Sequence, residues 1–302
     1  MLTVSNYHYI RPDFKTNYPS IFGQTPNEFK KQLLLLKNQG DFVNTIELID
    51  NIDQILDSKE NTLFITFDDG LKEQFDLALP ILEELDIPAI FFVNSINHEE
   101  KKVSTVHKIH LLRSIISSDE FLKKLVDIPF SDLEKRNAQA IYRYDDEKSA
   151  ILKYILNFKL NFKQQEQIIK ELFDIHFDEN NVLESLYMTE QNLKDLAQKG
   201  YLGSHTHNHY PLGLLSENGI KFELQKTKTY LEKLTNSNIN AVSYPYGTLE
   251  TCTDLVVEFA KKEGYKIGFT TRRGINISGE NPLLLNRFDC NDLIGGKNYN
   301  KI

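Results

Sequence analysis

Two short segments of the sequence carry side chains whose types and spacing suit a divalent metal ion. In the first, the adjacent acids Asp68 and Asp69 directly follow the apolar run 63–67. In the second, His205 and His209 stand four positions apart. On one helical turn, or in a compact loop, that spacing directs both imidazoles at one point, and one carboxylate completes the site. The sequence therefore predicts a metal site formed by Asp69, His205 and His209.

A metal site of this composition keeps at least one coordination position for water. Zinc is the default ion, and it lowers the pKa of a bound water to about 7 and polarises a carbonyl oxygen. Hydrolysis of an amide or an ester then becomes feasible near neutral pH. Asp68 is the candidate base, because coordination keeps Asp69 ionised and leaves Asp68 free to take a proton.

Each segment also has a purely structural interpretation. An Asp-Asp-Gly sequence after a strand is common as a turn that caps a helix. Three alternating histidines are harder to explain by core packing, and they favour the metal site. The middle one, His207, is expected to point away from the other two, where it either supports them from behind or lies exposed.

The surrounding pattern predicts the elements that position these residues. Strands are predicted at 63–67, 89–94, 201–204, 241–244 and 266–271, and helices at 26–37, 72–85, 221–234 and 255–262. The first helix begins with a capping box from Thr25 to Glu28. Strands that alternate with helices of this length predict an α/β fold with a mostly parallel sheet or a barrel. Active residues are then expected at the carboxyl ends of the strands.

Residues from about 103 to 186 break this alternation. They show helical periodicity at 109–116, 147–158 and 164–173 and little strand signal, which predicts a helical insertion in a single catalytic domain spanning 1–302. The insertion, with residues 142–146 between two of its helices, is either a lid or side wall over the site or a helical hairpin that adds stability or a dimer contact.

Composition excludes several classes of protein. The chain has 302 residues, 40% of them hydrophobic, so it can bury a large core. A net charge of -8 disfavours a nucleic-acid or anionic-membrane binder, because phosphates are bound through clustered Lys and Arg. The sequence shows neither an export signal nor a transmembrane run, which predicts a cytoplasmic protein. Its two cysteines form no disulfide framework.

These motifs resemble those of the polysaccharide deacetylase family, the NodB homology domain of carbohydrate esterase family 4. Thr66–Gly70 is similar to the first motif of that family, in which the first aspartate is the base and the second binds the metal. Residues 205–209 match its second motif, H-[ST]-x-x-H, and Ser243–Gly247 is similar to its third, R-x-P-Y. The resemblance implies a distorted (β/α)7 TIM-like barrel, and it implies that the backbone N–H of Tyr246 stabilises the oxyanion.

The sequence departs from the family pattern at two places. Ser243 stands where the family often has an arginine that orients the base, and Arg287 is the candidate for that role. The family often has a late histidine that protonates the leaving amine, yet no histidine follows His209. The candidates for the general acid are therefore His8, His107 and His110, and a water held by the metal or the protonated Asp68 are alternatives.

The function implied is a metal-dependent N-deacetylase that hydrolyses the acetamido group of an N-acetylated sugar and releases acetate. Its setting would be polysaccharide or glycoconjugate biosynthesis, with an N-acetylated carbohydrate as the substrate and Zn²⁺ as the metal. Two alternatives remain open: a related amidohydrolase acting on a non-sugar C–N bond, and a metal-binding homologue without turnover. The sequence does not indicate an oligomeric state.

Overall fold

The protein is described by a computed structural model covering residues 1–18, 20–125, 128–142 and 145–299. These residues form two compact units.

The first unit comprises Met1–Asp13, Gly23–Lys102 and Val182–Ile302, and the second comprises Phe14–Phe22 and Val103–Asn181. The helical insertion was predicted at about 103–186, so the second unit ends five residues earlier and also takes in 14–22. Within the segment 142–146, Arg143 and Tyr144 lie outside the described residues. A single catalytic domain and a lid function for the insertion stay predictions.

The first unit is built on a parallel sheet of eight strands. The strands of the chain are β1 (Leu2–Tyr7), β2 (Tyr9–Ile10), β3 (Gly23–Gln24), β4 (Asp41–Phe42), β5 (Thr62–Phe67), β6 (Ala89–Val93), β7 (Leu202–Ser204), β8 (Ala241–Ser243), β9 (Ile267–Phe269) and β10 (Phe288–Asp289). The main path runs β10-β1-β5-β6-β7-β8-β9, β4 pairs with β5, and β2 and β3 pair separately. This curled parallel sheet confirms the predicted distorted (β/α) barrel.

Helices cover the sheet and make up the second unit. They are α1 (Pro26–Leu36), α2 (Thr45–Asp50), α3 (Ile52–Asp57), α4 (Leu79–Glu84), α5 (Ile96–Glu99), α6 (Thr105–Ile115), α7 (Ser118–Lys123), α8 (Asp132–Ile141), α9 (Glu147–Tyr154), α10 (Phe162–His176), α11 (Glu179–Leu186), α12 (Glu190–Gln198), α13 (Glu217–Thr235) and α14 (Asp254–Lys262). Helices α6 to α10 belong to the second unit. The capping box at Thr25 and Glu28 is confirmed at the start of α1.

One predicted helix differs in form. Instead of a single helix over 72–85, the chain makes a π-helical turn at Gln74–Ala78 and then α4. Pro80 lies in the first turn of α4 and has no N–H to donate to the carbonyl of Asp76, four residues earlier. A wider turn before the proline accommodates that missing hydrogen bond.

Alternation along the strands separates two apolar cores. One face contributes to an inner cluster made of Leu2, Val4, Phe64, Ile90, Phe92, Ala241, Ile267, Phe269 and Leu285, together with residues of α2 and α3. The other face, which includes Leu63, Ile65 and Phe67 of β5, packs with α1, α4, α12, α13 and α14. Because successive strand residues point to opposite faces, each strand is buried on both sides.

The same alternation places polar residues above the inner apolar layer. Continuing the inward positions toward the carboxyl ends of the strands gives Asn6, Thr66, Asp68, Asn94, His205, Ser243 and Arg287. In β7 the inward position is Gly203, where a Cβ would lie 2.4 Å from Cδ1 of Phe92. The fold thus supplies an apolar floor with a polar site on top.

The two edges of the curled sheet approach each other through one short segment. Leu285 forms a parallel bridge with Phe269 of β9, and three residues later Phe288 pairs with Ser5 of β1. Arg287 lies between these two points. It therefore lies at the seam of the barrel, the place where the two edges of the sheet meet, beside the end of β1 and the end of β9.

Among the described residues, no helix is both long and apolar enough to cross a membrane.

The inner core generates a stability prediction. Phe64 is fully buried and its ring stacks on Phe269 at 5.6 Å. Phe64→Ala should lower the free energy of unfolding by about 3–5 kcal/mol, because it leaves a cavity in the apolar core beside Phe269 of β9. Urea denaturation measures the loss. Ile46→Ala, at an α2 position that is 65% exposed, is the control and should change the value by less than about 0.5 kcal/mol. Equal effects of the two substitutions would contradict the assigned core.

Candidate active site

Three predicted metal ligands converge at the carboxyl ends of β5 and β7. The candidate ligand atoms of Asp69, His205 and His209 all lie within 4.8 Å of one another. Oδ1 of Asp69 is 3.6 Å from Nε2 of His205 and 3.4 Å from Nε2 of His209. The two imidazole rings are nearly perpendicular, with centroids 4.9 Å apart. Three ligand atoms therefore face one point.

A hydrogen bond behind His205 fixes which ring nitrogen can bind a metal. Nδ1 of His205 lies 2.7 Å from the carbonyl oxygen of Ser243, to which it donates. The proton then resides on Nδ1, and Nε2 keeps its lone pair for a metal ion. Backbone carbonyls commonly orient metal-ligating histidines in this way.

The donor set and its burial fit a divalent cation. One carboxylate and two imidazoles are the ligands zinc prefers in catalytic sites. Asp69 and His205 are buried, and 10% of the His209 side chain is exposed, which leaves the cluster open on one side. Asp69, His205 and His209 would hold the ion.

The loops of the site contain an unusual number of strained residues. Asp69, Thr206, His209 and Tyr246 all have positive φ angles between 61° and 83°. Non-glycine residues rarely adopt this left-handed conformation, and each costs on the order of 1–3 kcal/mol. Such a cost persists only where the surrounding structure holds the loop in place.

The candidate base is held by a buried arginine. Nη1 and Nη2 of Arg287 donate to Oδ1 and Oδ2 of Asp68 at 2.9 and 2.8 Å, a bidentate ion pair. The guanidinium also donates from Nη1 to Asn6 and Thr66 and from Nε to the carbonyl of Thr270. Arg287 is 1% exposed. The residue named from sequence to orient Asp68 is thus in direct contact with it.

Opposing effects act on the pKa of Asp68. Burial raises it, but the charge of Arg287, the His205 ring and the hydrogen bonds from Arg287 lower it by more, so the pKa lies well below its usual range. Asp68 is therefore ionised at neutral pH. Because the folded-state pKa is depressed, the stability that this pair contributes is present above the unfolded-state pKa of an aspartate and is lost as the pH falls below it.

Of the three histidines considered as general acid, His8 lies beside Asp68. Its Nε2 is 3.9 Å from Oδ2 of Asp68, and 38% of its side chain is exposed. His8 directly follows β1, and Gln74 donates to the carbonyls of both His8 and Asp68, which ties the two loops together. His107 and His110 belong to the second unit, where their rings lie 6.1 Å apart.

The third motif places Tyr246 next to His209, with ring centroids 5.4 Å apart. Among the described residues, no backbone carbonyl accepts a hydrogen bond from the Tyr246 N–H. Its own carbonyl accepts from Oγ1 of Thr271 at 2.7 Å. At the following Gly247, a Cβ would lie 2.3 Å from the Thr271 nitrogen, so only glycine permits this close turn.

His207 is buried and lies behind the ligands. Its Nδ1 is 2.7 Å from Oγ of Ser95 and its Nε2 is 3.0 Å from Oε1 of Glu100. Burial lowers its pKa, although Glu100 opposes this effect. The sequence left open whether His207 supports the candidate ligands from behind or is exposed. The structure shows that it is buried behind them.

Several residues that hold the site were missed by sequence reasoning. Asn94 donates from Nδ2 to the carbonyls of His205 and Thr206, and Glu223 accepts from Asn208. Asn94 could have been found, because it directly follows β6 just as Asp68 follows β5. Glu223 could not have been found, because charged residues are common in a helical sequence and only the fold shows that this one is buried.

A family model described as "Polysaccharide deacetylase" matches residues 56–131 and 159–268, more than half of the chain. The chain belongs to the polysaccharide deacetylase family. The YxkH protein of Bacillus subtilis (strain 168), whose name assigns it to the polysaccharide deacetylases, is 30% identical over 89 residues, which cover 29% of this chain and 31% of that relative. This match thus spans less than a third of the relative's length.

Three solved structures share the fold. The Streptococcus pyogenes deacetylase PplD, solved in complex with acetate, has a TM-score of 0.58 at 20% identity over 95% of this chain and 91% of its own. IcaB from Ammonifex degensii has a TM-score of 0.59 at 19% identity over the same shares. A de-N-acetylase from Aggregatibacter actinomycetemcomitans has a TM-score of 0.57 at 15% identity over 96% and 95%. At these identities the likeness shows the polysaccharide deacetylase fold alone.

The buried ion pair generates a prediction that needs no substrate. Arg287→Gln should lower the free energy of unfolding at neutral pH by about 3–5 kcal/mol, because it leaves the Asp68 carboxylate buried without its cation. Chemical denaturation measures the loss. Asp68→Asn/Arg287→Gln should be less destabilised than the sum of the two single variants, since the double change removes both charges. Strict additivity would contradict a coupled pair.

Proposed function

We propose that this polysaccharide deacetylase family member is a metal-dependent N-deacetylase that removes the acetyl group from an N-acetylated sugar. One observation supports this most: a candidate metal site and a candidate base lie on adjacent residues. The possible ligand atoms of Asp69, His205 and His209 lie close together, and the carboxylate of Asp68 is on the residue before Asp69. The metal site can hold an ion and the base can accept a proton. Amide hydrolysis requires both.

A divalent ion bound there, most simply Zn²⁺, would acidify the attacking water and polarise the acetyl carbonyl. Asp68 takes the proton of that water. Its low pKa makes it a weak base, so it depends on an acidified water, and Arg287 keeps it ionised and fixed in direction. The backbone N–H of Tyr246 donates to the oxygen on which negative charge develops.

Departure of the amine requires a proton, and His8 is the residue proposed to supply it. It lies 3.9 Å from Asp68 and is partly exposed, so it can reach both the carboxylate and a bound substrate. A proton received by Asp68 can then be matched by one delivered from His8. The products are acetate and a free amino sugar.

The finer parts of the proposal rest on the motifs. Zn²⁺ follows from the ligand types, and the substrate class follows from the family. A role in polysaccharide or glycoconjugate biosynthesis and a cytoplasmic location stay predictions from the sequence.

The direct experiment incubates zinc-loaded protein with N-acetylated sugars, sugar nucleotides and oligosaccharides while acetate and ammonia are both measured. Acetate release supports the proposal, and ammonia without acetate would instead indicate an amidohydrolase of another substrate class.

Single substitutions should distinguish the roles of the two adjacent acids, Asp68 and Asp69. Asp69→Ala should lose tight zinc binding, because it removes one of three ligands, and chelation of the wild-type enzyme should abolish activity until zinc is restored. Asp68→Asn should bind zinc normally and lose turnover by about 10²–10⁴-fold, because it removes the base. Calorimetric zinc titration and acetate assays measure the two effects. Full activity of Asp68→Asn would disprove the assigned base.

The role of His8 can be tested through the leaving group. His8→Asn should reduce hydrolysis of the sugar acetamide by about 10²-fold or more, because the amine leaves only when protonated. The same variant should hydrolyse 4-nitrophenyl acetate as fast as the wild type, since a nitrophenolate leaves without a proton. The comparison uses kcat for both substrates on zinc-loaded protein. An equal loss on the two substrates would assign His8 to another role.

A further inference from the structure

The loop between the two histidine ligands is held by a buried carboxylate from a helix. Glu223 of α13 is 2% exposed. Its Oε2 accepts from the backbone N–H of Asn208 at 2.7 Å, and its Oε1 accepts from Nδ2 of the same residue at 2.6 Å. Asn208 directly precedes the ligand His209. One side chain therefore fixes both the backbone and the side chain of the residue next to a ligand.

Packing alone does not explain a glutamate at this position. The other buried residues of α13 are Ile220, Leu224, Thr227 and Leu231, so Glu223 is the single charged member of that face. Burial raises the pKa of Glu223, and the Asn208 donors oppose that rise. A buried carboxylate is unfavourable unless its hydrogen bonds are made, and here both oxygens meet donors of one residue.

The conformation of the loop requires such support. Thr206 and His209 have φ angles of 64° and 61°, in a region that non-glycine residues rarely occupy. Asn94 donates to the carbonyls of His205 and Thr206. Asn94 thus satisfies carbonyl groups at the start of the loop, and Glu223 satisfies an N–H group near its end.

We infer that Glu223 is a positioning residue that orients His209 for metal binding through its two hydrogen bonds to Asn208. This inference rests on the proposed metal site of Asp69, His205 and His209. On this inference, a residue of α13 helps to set the geometry of the metal site, although α13 itself contributes no ligand. Residues behind metal ligands typically change metal affinity or activity by about 10–100-fold when mutated.

Three variants of α13 test the inference. Glu223→Ala removes both acceptors. Glu223→Gln keeps one acceptor for the Asn208 N–H, and its amide can donate to Oδ1 of Asn208 once that side-chain amide turns over. Glu217→Ala, at an exposed position in the first turn of the same helix, is the matched control.

The zinc dissociation constant of each folded variant is measured by chelator competition, and the Co²⁺-loaded proteins are compared by their visible absorption. Glu223→Ala should weaken zinc binding by about 10–100-fold and change the Co²⁺ bands, because His209 is no longer held in place. Glu223→Gln should stay closer to the wild type than to Glu223→Ala, and Glu217→Ala should match the wild type. Urea denaturation of the metal-free proteins reports stability separately.

Two results would overturn the inference in distinguishable ways. If Glu223→Ala lost stability but bound zinc with wild-type affinity and an unchanged Co²⁺ spectrum, Glu223 would have only a structural role while the metal site stood. If the wild-type protein itself bound neither Zn²⁺ nor Co²⁺, the proposed metal site would fail, and the role of Glu223 would fail with it.

Discussion

The ion pair between Arg287 and Asp68 connects the closure of the barrel to its chemistry. Arg287 lies between Leu285, which bridges to β9, and Phe288, which pairs with β1. Its guanidinium reaches Asn6, Thr66 and Asp68 at the ends of β1 and β5, and the carbonyl of Thr270 after β9. One side chain thus spans both sides of the seam. A buried arginine needs nearly all its donors satisfied, so the strand ends and the candidate base Asp68 are fixed together.

A second constraint is the strain in the loops that carry the candidate metal ligands. Four residues of these loops have left-handed conformations that an isolated loop would not keep: Asp69, Thr206, His209 and Tyr246. Buried polar groups outside the ligand set oppose that tendency, and they come from different elements: Asn94 after β6 and Glu223 of α13. His207 is held in the same way by Ser95 and Glu100. These residues keep the side chains of the candidate ligands directed at one point. A preorganised site is held in the same way by residues around it.

The sequence predicted the parts of this structure that depend on local patterns. Apolar runs located β5 and β6, a capping box located α1, and the spacing of His205 and His209 indicated the metal site. It missed β1, although that strand is buried and pairs with both β5 and β10, because Thr3, Ser5 and Asn6 interrupt its apolar pattern. Those polar residues are compatible with a buried strand only because partners distant in sequence, such as Arg287, satisfy them. The role of Glu223 was hidden for the same reason, since its partner Asn208 is identified only by the fold.

The proposed mechanism requires that Asp69, His205 and His209 hold an ion while Asp68 remains free of it. A crystal structure of the zinc-soaked protein, with the ion located by anomalous diffraction, tests this most directly. We expect one zinc at about 2.0–2.2 Å from an Asp69 oxygen and from Nε2 of both histidines. Asp68 should keep both hydrogen bonds to Arg287. A zinc bound to His207, or one that draws Asp68 away from Arg287 as a ligand, would contradict it.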